Sequence, residues 1–459
     1  MKLLFTLCST LLVAHTLAFR YDDYKKFIEQ QSKNATFVKL FDQHVQRFKE
    51  AQMTSKVKLE FPCQPFQKPK EATHVHELTP YDIKAIGAIG DSITAGTGIT
   101  AGTIIGVLRE DRGLSWSGGG DGNVEEYITL PNMIKRYNPD LKGYATGWGP
   151  YWFPNAHLNV AIPGKKASDM PGQARMLVDR LKSEKGVDYQ NDWKVITLFI
   201  GGNDLCDFCE DREAYSAENY IGYIREALDI FHAEVPRAFV NLVEVLNIGF
   251  ASTLREGFVC DTIQLFGCRC GSYPDEKEKE ELQVFVAAYQ KVTRDLVASG
   301  RYDTRDDFTV VDQPFFSETE VPTKEDGSTD LSYFSPDCFH LSVKGQEAAA
   351  YALWDNMIEP VGQKRISWRP GVPVECPDEQ APYFYTRKNS PKLNQLNKHE
   401  NIQNDKQENE PENAEKGSTM RNNATITGAV LGVICMVAAV CGTVYHIRKK
   451  RQSSSYLKI

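Results

Sequence analysis

The chain has 459 residues, a formal net charge of −8, 41% hydrophobic residues and 25% charged residues. This composition is typical of a globular protein with enough apolar surface for a core, and it excludes a collagen, a coiled coil or a disordered chain. The acidic balance also argues against a nucleic-acid partner, because binding to phosphates needs a basic surface.

The chain starts with a predicted targeting sequence. Lys2 precedes an apolar run over residues 3–13, and small residues close the segment at residues 16–18, so residues 1–18 are predicted to be a signal peptide. A transmembrane helix is the alternative, but the apolar run is too short to span a bilayer. We therefore expect the mature chain to be secreted.

Residues 19–60 carry apolar side chains at helical spacing, which predicts one or two amphipathic helices. This N-terminal helical extension is interpreted either as a packed part of the fold or as a removable pro-segment. The sequons at Asn34 and Asn423 are predicted glycosylation sites, although Asn423 lies almost at the membrane.

The C-terminal part predicts a membrane anchor. Residues 387–425 are polar and lack the apolar content of a fold, so they are predicted to form a stalk. Residues 426–446 are uncharged and long enough for a transmembrane helix, and a basic cluster opens the cytoplasmic tail at 447–459. The expected topology is single-pass type I in the plasma membrane, with the catalytic domain outside. A lipid-anchor signal is the alternative, but it would end without a basic tail.

Eight of the 11 cysteines lie outside the two apolar segments, and an even number suits disulfides in an oxidising compartment. They are Cys63, Cys206, Cys209, Cys260, Cys268, Cys270, Cys338 and Cys376. The pairing stays open at this stage. A redox or zinc function for Cys206-x-x-Cys209 is disfavoured, because no second half of a zinc site follows. We expect no metal and no cofactor.

From residue 84 onward, short apolar runs alternate with longer amphipathic stretches, a pattern typical of a parallel α/β fold. The predicted strands are residues 85–89, 158–162, 195–200, 238–246 and 308–311, and the predicted helices are 167–182, 217–233, 275–298 and 343–357. The strands are apolar on both faces, so helices should cover both sides of the sheet. Residues 61–386 are therefore predicted to form a three-layer α/β/α sandwich with a five-stranded parallel sheet.

Active sites of open α/β sheets lie beyond the carboxyl ends of the strands. Ser92 follows the first predicted strand, where a tight turn can expose a nucleophilic hydroxyl at the start of a helix. Thr94 stands where the G-x-S-x-G elbow of α/β-hydrolases has its second glycine, which disfavours that fold. Taken alone, Ser92 also fits a serine that only caps a helix.

A base for this serine follows the last predicted strand. His340 can take the hydroxyl proton at neutral pH, and Asp337, three residues earlier, can accept the other ring N–H and fix the tautomer. A lone D-x-x-H sequence also fits a structural helix cap. Gly164 and Asn203 follow the second and third predicted strands, where a backbone N–H and a side-chain amide can stabilise an oxyanion.

A glycine-rich segment at residues 117–122 lacks the G-K-[ST] ending of a phosphate-binding loop. It is interpreted as a flexible loop beside the active site.

Together, the Gly-Asp-Ser-Ile block at 90–93, Gly164, the Gly-Gly-Asn-Asp block at 201–204 and the Asp-Cys-Phe-His block at 337–340 resemble the four blocks of the GDSL, or SGNH, hydrolase family. The chain looks most similar to the membrane-associated phospholipase B group, over roughly residues 61–376. Ile93 replaces the leucine that names the family, a volume-conserving change. Many members of that group carry tandem catalytic repeats, whereas this chain has one.

The resemblance implies a flavodoxin-like sheet, a Ser92-Asp337-His340 triad, and an oxyanion hole made by the Ser92 N–H, Gly164 and Asn203. It also implies calcium-independent hydrolysis of phospholipid and lysophospholipid substrates. Two other interpretations stay open: an esterase for retinyl esters, acylglycerols or acetylated sugars, and an adhesion or receptor protein on an inactive hydrolase fold.

Overall fold

A computed structural model of the protein describes residues 21–55, 59–255, 257–368 and 372–391. Its helices are α1 (Tyr21–Gln31), α2 (Ala35–Thr54), α3 (Ser92–Ala95), α4 (Leu130–Lys135), α5 (Met170–Ser183), α6 (Gly202–Asp207), α7 (Ala217–Glu234), α8 (Phe258–Gly267), α9 (Arg269–Ser272), α10 (Glu276–Ala298) and α11 (Val343–Ile358). Its strands are β1 (Ile83–Gly90), β2 (Trp193–Phe199), β3 (Ala238–Val243), β4 (Phe308–Gln313), β5 (Glu318–Thr319) and β6 (Ser367–Trp368).

Several predicted features lie outside the described residues: the signal peptide, the stalk beyond residue 391, the transmembrane segment, the cytoplasmic tail and Asn423. Among the residues that are described, no helix has both the length and the apolar character needed to cross a bilayer.

The central sheet is parallel, with its strands in the order β1-β2-β3-β4, and β5 and β6 form a separate parallel pair. Gly87 of β1 lies against Leu177 of α5. The next residue, Ala88, is in register with Asn241 of β3, whose side chain contacts Met357 of α11. Because successive strand residues point to opposite faces, α5 and α11 cover opposite sides of the sheet. The predicted three-layer α/β/α architecture is confirmed.

Residues 158–162 do not form the predicted fifth strand, although they run beside β1. The Ala88 N–H donates to the Leu158 carbonyl (3.0 Å) and the Val160 N–H donates to the Ala88 carbonyl (2.9 Å), which makes one isolated bridge. The Gly90 N–H, which would continue this pairing by donating to the Val160 carbonyl, donates instead to Gln173 Oε1 (2.9 Å), which interrupts regular pairing at this point. The described sheet therefore has four strands rather than five.

All eight cysteines outside the apolar segments form disulfides. The pairs are Cys63–Cys376, Cys206–Cys268, Cys209–Cys270 and Cys260–Cys338. The C-x-x-C sequence is thus joined to the C-x-C sequence at residues 268–270 by two bonds. This confirms the prediction of disulfides and removes the thiolates that a redox or zinc site would need.

The glycine-rich segment is packed into the domain, so its interpretation as a flexible loop was wrong. Residues 117–120 are buried, and the Gly120 N–H donates to the Ala145 carbonyl (2.9 Å). A Cβ on Gly119 would lie 2.5 Å from the Gly113 carbonyl oxygen, and one on Gly120 would lie 2.2 Å from the Tyr144 ring. The glycines are there because neighbouring backbone and rings approach too closely for a side chain.

Candidate active site

Ser92 is the first residue of α3, directly beyond the carboxyl end of β1. The chain turns at Gly90, whose φ of +154° would place a Cβ 2.4 Å from the Phe199 carbonyl oxygen, so only glycine fits. Asp91 caps the helix, its side chain accepting from the Ile93 N–H (3.0 Å). Ser92 is therefore not the capping residue, and its hydroxyl is left for another role.

Two glutamines hold this turn from the helices on either side of the sheet. Gln173 of α5 accepts from the Gly90 N–H and donates to the Gly90 carbonyl, both at 2.9 Å. Gln346 of α11 donates to the Ile93 carbonyl (3.3 Å). The sequence analysis missed both residues, because a lone glutamine on a helix gives no signal of a partner far away in the chain.

His340 and Asp337 form the pair that their spacing predicted. The His340 Nδ1 lies 2.5 Å from Asp337 Oδ2, while Oδ1 accepts from the backbone N–H groups of Phe339 (3.0 Å) and His340 (2.9 Å). Burial alone would raise the pKa of Asp337, but the charge of His340 and these hydrogen bonds hold it below its usual value. The carboxylate thus stays ionised and can orient the ring and stabilise an imidazolium.

The other ring nitrogen of His340, Nε2, is buried and has no hydrogen-bond partner within the described structure. His340 lines one pocket together with Ser92, Gly164 and Asn203. A buried acceptor without a partner is costly unless a ligand or a reacting group uses it. The four residues that the sequence places far apart therefore meet around one small cavity.

Asn203 and Gly164 are fixed to each other through the loop that follows residue 162. The Asn203 side-chain amide donates to the Lys165 carbonyl (2.8 Å), which leaves its second N–H available to the pocket. Gly164 has a φ of +75°, a conformation that favours glycine. The next loop residues are held by Asp204, which accepts from the Ala167 N–H (3.0 Å).

Two further buried carboxyl groups, besides Asp337, lie beside the pocket. Burial raises the pKa of Asp91 to about 6, opposed by its bond to the Ile93 N–H and by the charge of His340. Burial also raises the pKa of Asp204 to about 7, opposed first by the bond from Ala167. Both groups therefore change charge within the range in which the enzyme would be assayed.

Helix α1 lies over this pocket, which the sequence did not reveal. Tyr21 and Tyr24 line the pocket with Ser92 and His340. A Cβ on Gly164 would come within 2.2 Å of the Tyr21 Cβ, so the tyrosine sits directly on that glycine. Burial, followed by the charge of Glu110, raises the pKa of Tyr21 above its ordinary value.

Helix α2 anchors α1 to the domain. His44 of α2 contacts the Pro336 carbonyl through Nε2 (3.0 Å), one residue before Asp337. A hydrophobic cluster joins both helices to the domain; it includes Phe27, Phe41, Val45, Ile104, Val107 and Ile263.

Asn34, between the helices, is exposed and caps α2, so its predicted glycosylation site is at the surface.

Groups of side chains that could hold a metal ion were found in the described residues at His44-Cys260-Cys338 and Cys209-Glu210-Cys270. The cysteines of both groups are in disulfides and carry no thiolate. Neither group includes a residue of the pocket.

Comparison with known proteins gives consistent matches. A family model for GDSL-like lipase/acylhydrolase matches residues 86–353. The membrane-associated phospholipase B1 of Homo sapiens is 49% identical over 330 residues, covering 69% of this chain and 22% of that protein. The Mus musculus protein of the same name is 46% identical over 345 residues, covering 72% and 23%. The chain thus spans less than a quarter of the length of these relatives.

Among solved structures, an acetylxylan esterase from Geobacillus stearothermophilus is 15% identical, covering 61% of this chain and 96% of that one, with a TM-score of 0.29.

Proposed function

Since the chain belongs to the GDSL-like lipase/acylhydrolase family, and is therefore an ester hydrolase, we propose that it is a calcium-independent phospholipase B. In this proposal it cleaves the acyl esters of glycerophospholipids and then those of the resulting lysophospholipids. The observation that carries the proposal is the shared pocket of Ser92, Gly164, Asn203 and His340, with Asp337 bound to the far side of the imidazole.

The proposed mechanism follows from these positions. The Ser92 hydroxyl attacks the ester carbonyl while His340 Nε2 takes its proton, and Asp337 stabilises the imidazolium. The Ser92 N–H, Gly164 and Asn203 donate to the oxyanion of the tetrahedral intermediate. His340 then returns the proton to the departing alcohol, which is the lysophospholipid or glycerophosphocholine. Water, activated by the same imidazole, releases the fatty acid from Ser92.

Calcium is not required in this proposal. Lipases that depend on calcium use the metal to polarise the ester carbonyl, whereas three neutral donors at Ser92, Gly164 and Asn203 supply that effect here. The phospholipid substrate is proposed from the names of the two mammalian relatives, since a hydrolase fold and a triad do not select the alcohol of the ester.

The proposed location is the outer surface of the plasma membrane. The apolar segment at 426–446 would anchor the chain, with the stalk at 387–425 holding the domain near the outer leaflet. The disulfides and the exposed sequon at Asn34 both suit an extracellular domain.

Product analysis on a phosphatidylcholine with two distinguishable acyl chains tests the proposal, with and without EDTA. We expect both fatty acids and glycerophosphocholine to appear over time, with EDTA having no effect. The same product analysis is applied to the Ser92→Ala variant. Ser252→Ala, at an exposed position, serves as its control. Lysolipid that accumulates unchanged would reduce the assignment to a phospholipase A, and inhibition by EDTA would overturn the metal-free mechanism.

A second candidate is a broader carboxylesterase acting on retinyl esters or acylglycerols. It would use the same Ser92, His340 and oxyanion donors, because a hydrolase fold and a triad do not select the alcohol of the ester. Turnover of acylglycerols without release of acyl chains from phosphatidylcholine would select this candidate.

A further inference from the structure

A group of aromatic side chains is exposed on the loop at residues 146–156, here called the aromatic loop. Trp148 is 57% exposed, Trp152 is 65% exposed and Phe153 is 42% exposed. Residues 143–156 contain no Asp, Glu, Lys or Arg. Large aromatic side chains are rarely left in water in such a group unless they meet a partner.

The aromatic loop is firmly held, so its exposure is not a result of loose packing. The buried Arg112 donates to the Gly149 carbonyl (2.8 Å), and the Gly149 N–H donates to the Glu110 carbonyl (2.9 Å). At the other end, Arg180 of α5 donates to the carbonyls of Tyr151 (2.6 Å) and His157 (2.7 Å).

The same side chains connect the aromatic loop to the active site. Arg112, which holds Gly149, also donates to the Ala161 carbonyl (2.7 Å), three residues before Gly164. The Arg109 guanidinium lies over the Trp148 ring at 5.1 Å, and the Arg109 carbonyl accepts from the Gly98 N–H (2.7 Å). Gly98 in turn lies beside Asp337. Anything that binds to the aromatic loop is therefore held at a fixed position relative to the pocket.

We propose that the aromatic loop is a membrane-docking surface, which inserts Trp148, Trp152 and Phe153 into the headgroup region of a lipid bilayer and so holds the pocket at the source of its substrate. Tryptophan and other aromatic side chains favour this depth of a bilayer, because one part of the ring is apolar and another is polar. The lack of charged residues within the loop suits insertion, since none of its own side chains has to take an ionised group out of water. The proposal rests on the proposed phospholipase function, whose substrate is itself part of a bilayer.

The tryptophans allow a direct test, because the other four in the chain, Trp116, Trp193, Trp354 and Trp368, are buried. The full-length Ser92→Ala chain, which should bind without hydrolysis, is mixed with phosphatidylcholine vesicles that contain lipids brominated near the headgroup. We expect quenching of the tryptophan fluorescence, and its loss in the Trp148→Phe/Trp152→Phe variant. Absence of quenching would overturn the proposal.

Activity measurements give a second readout. The triple variant Trp148→Ala/Trp152→Ala/Phe153→Ala should keep its kcat/KM on a water-soluble acetate ester but lose at least about tenfold on vesicles, since burying these rings is worth more than the ~1.4 kcal/mol of a tenfold change. Tyr223→Ala, at a partly exposed tyrosine of α7, is the matched control.

An equal loss on both substrates, or an unchanged rate on vesicles, would contradict the proposal. If the wild-type chain hydrolyses the soluble ester but no phosphatidylcholine, the phospholipase function fails, whereas the quenching experiment still decides whether the aromatic loop docks.

Discussion

The Asn203 side-chain amide donates to the Lys165 carbonyl, and Asn203 lines the pocket together with Ser92. We predict that Asn203→Ala lowers kcat on a soluble ester by roughly 10²–10³-fold, the usual effect of losing one oxyanion donor, with a smaller change in KM. Steady-state kinetics measures both constants. Asn191→Ala, at an exposed turn, is the control. A loss of kcat smaller than about threefold would exclude Asn203 from the oxyanion hole.

The raised pKa of Asp204 predicts that the stability of the fold depends on pH. Its folded-state pKa of about 7 is raised above the ordinary 3.8, so the native state binds the proton more tightly than the unfolded chain. The contribution that Asp204 makes to the free energy of unfolding is complete below pH 3.8 and is lost as the pH rises to about 7. Asp91 acts in the same direction, up to about pH 6.

Asp204→Asn cannot ionise, and an amide oxygen can still accept from the Ala167 N–H. We therefore predict that the free energy of unfolding falls between pH 5 and pH 8 by roughly 2 kcal/mol less in Asp204→Asn than in the wild type. Denaturant unfolding at both pH values measures this difference. Asp179→Asn, on the exposed face of α5, should behave like the wild type. If the free energy of unfolding falls with pH as much in Asp204→Asn as in Asp179→Asn, the raised pKa assigned to Asp204 is contradicted.

At the scale of elements, α1 is the part of the structure that limits access to Ser92. Tyr21 sits on Gly164 and lines the pocket that also contains Ser92, so its ring occupies space that a bulky substrate would need. We predict that Tyr21→Ala raises kcat/KM on long-chain phosphatidylcholine by roughly tenfold, equivalent to ~1.4 kcal/mol, because removal of the ring widens the pocket that Tyr21 lines beside Ser92. The rate on an acetate ester should change much less.

Comparison of Tyr21→Ala with the wild type on both substrates measures the effect, and Tyr223→Ala on α7 is the matched control. A fall in kcat/KM on phosphatidylcholine would contradict the steric account, since it would mean that the Tyr21 ring binds the acyl chain rather than blocking it.

Regular elements could be predicted from local sequence. The predicted helix at 217–233 is α7 at Ala217–Glu234, and that at 343–357 is α11 at Val343–Ile358, because amphipathic spacing is a property of the segment itself. The prediction of a strand at residues 158–162 was wrong because Gln173, on a helix, accepts the Gly90 N–H that would otherwise pair with this segment. The prediction of a flexible loop at residues 117–120 was also wrong because of contacts that are distant in the sequence. These glycines pack against Gly113 and Tyr144, which are tertiary neighbours.

The candidate active site was predictable only in part, because some of its residues are marked by local sequence whereas others are brought there by tertiary contacts. Ser92, Gly164 and Asn203 closely follow runs of apolar residues, which are visible in the sequence, and His340 was found from Asp337 three residues before it. Gln173 holds Gly90 and Tyr21 contacts Gly164, each from a helix whose sequence carries no sign of that contact. The pairing of the cysteines was likewise open, since it depends on which segments fold together.

At the scale of the whole molecule, the described residues belong to one compact unit, which contains the pocket. We predict that a stop codon after Ser390 releases active enzyme into the medium, because the proposed anchor at 426–446 is then missing. Esterase assays of medium and cells, for the truncated and the full-length chain, measure the distribution. Activity of the truncated chain that stays with the cells would show that another attachment exists.

The central claim is that Ser92 forms the acyl-enzyme. Reaction of the full-length protein with a fluorophosphonate, which modifies serines that an adjacent base activates, followed by mass spectrometry of the peptides, tests it most directly. We predict a single adduct on Ser92, lost in Ser92→Ala and strongly slowed in His340→Ala, with Ser252→Ala labelled like the wild type. An adduct on another residue, or labelling that persists in Ser92→Ala together with ester hydrolysis, would contradict the account.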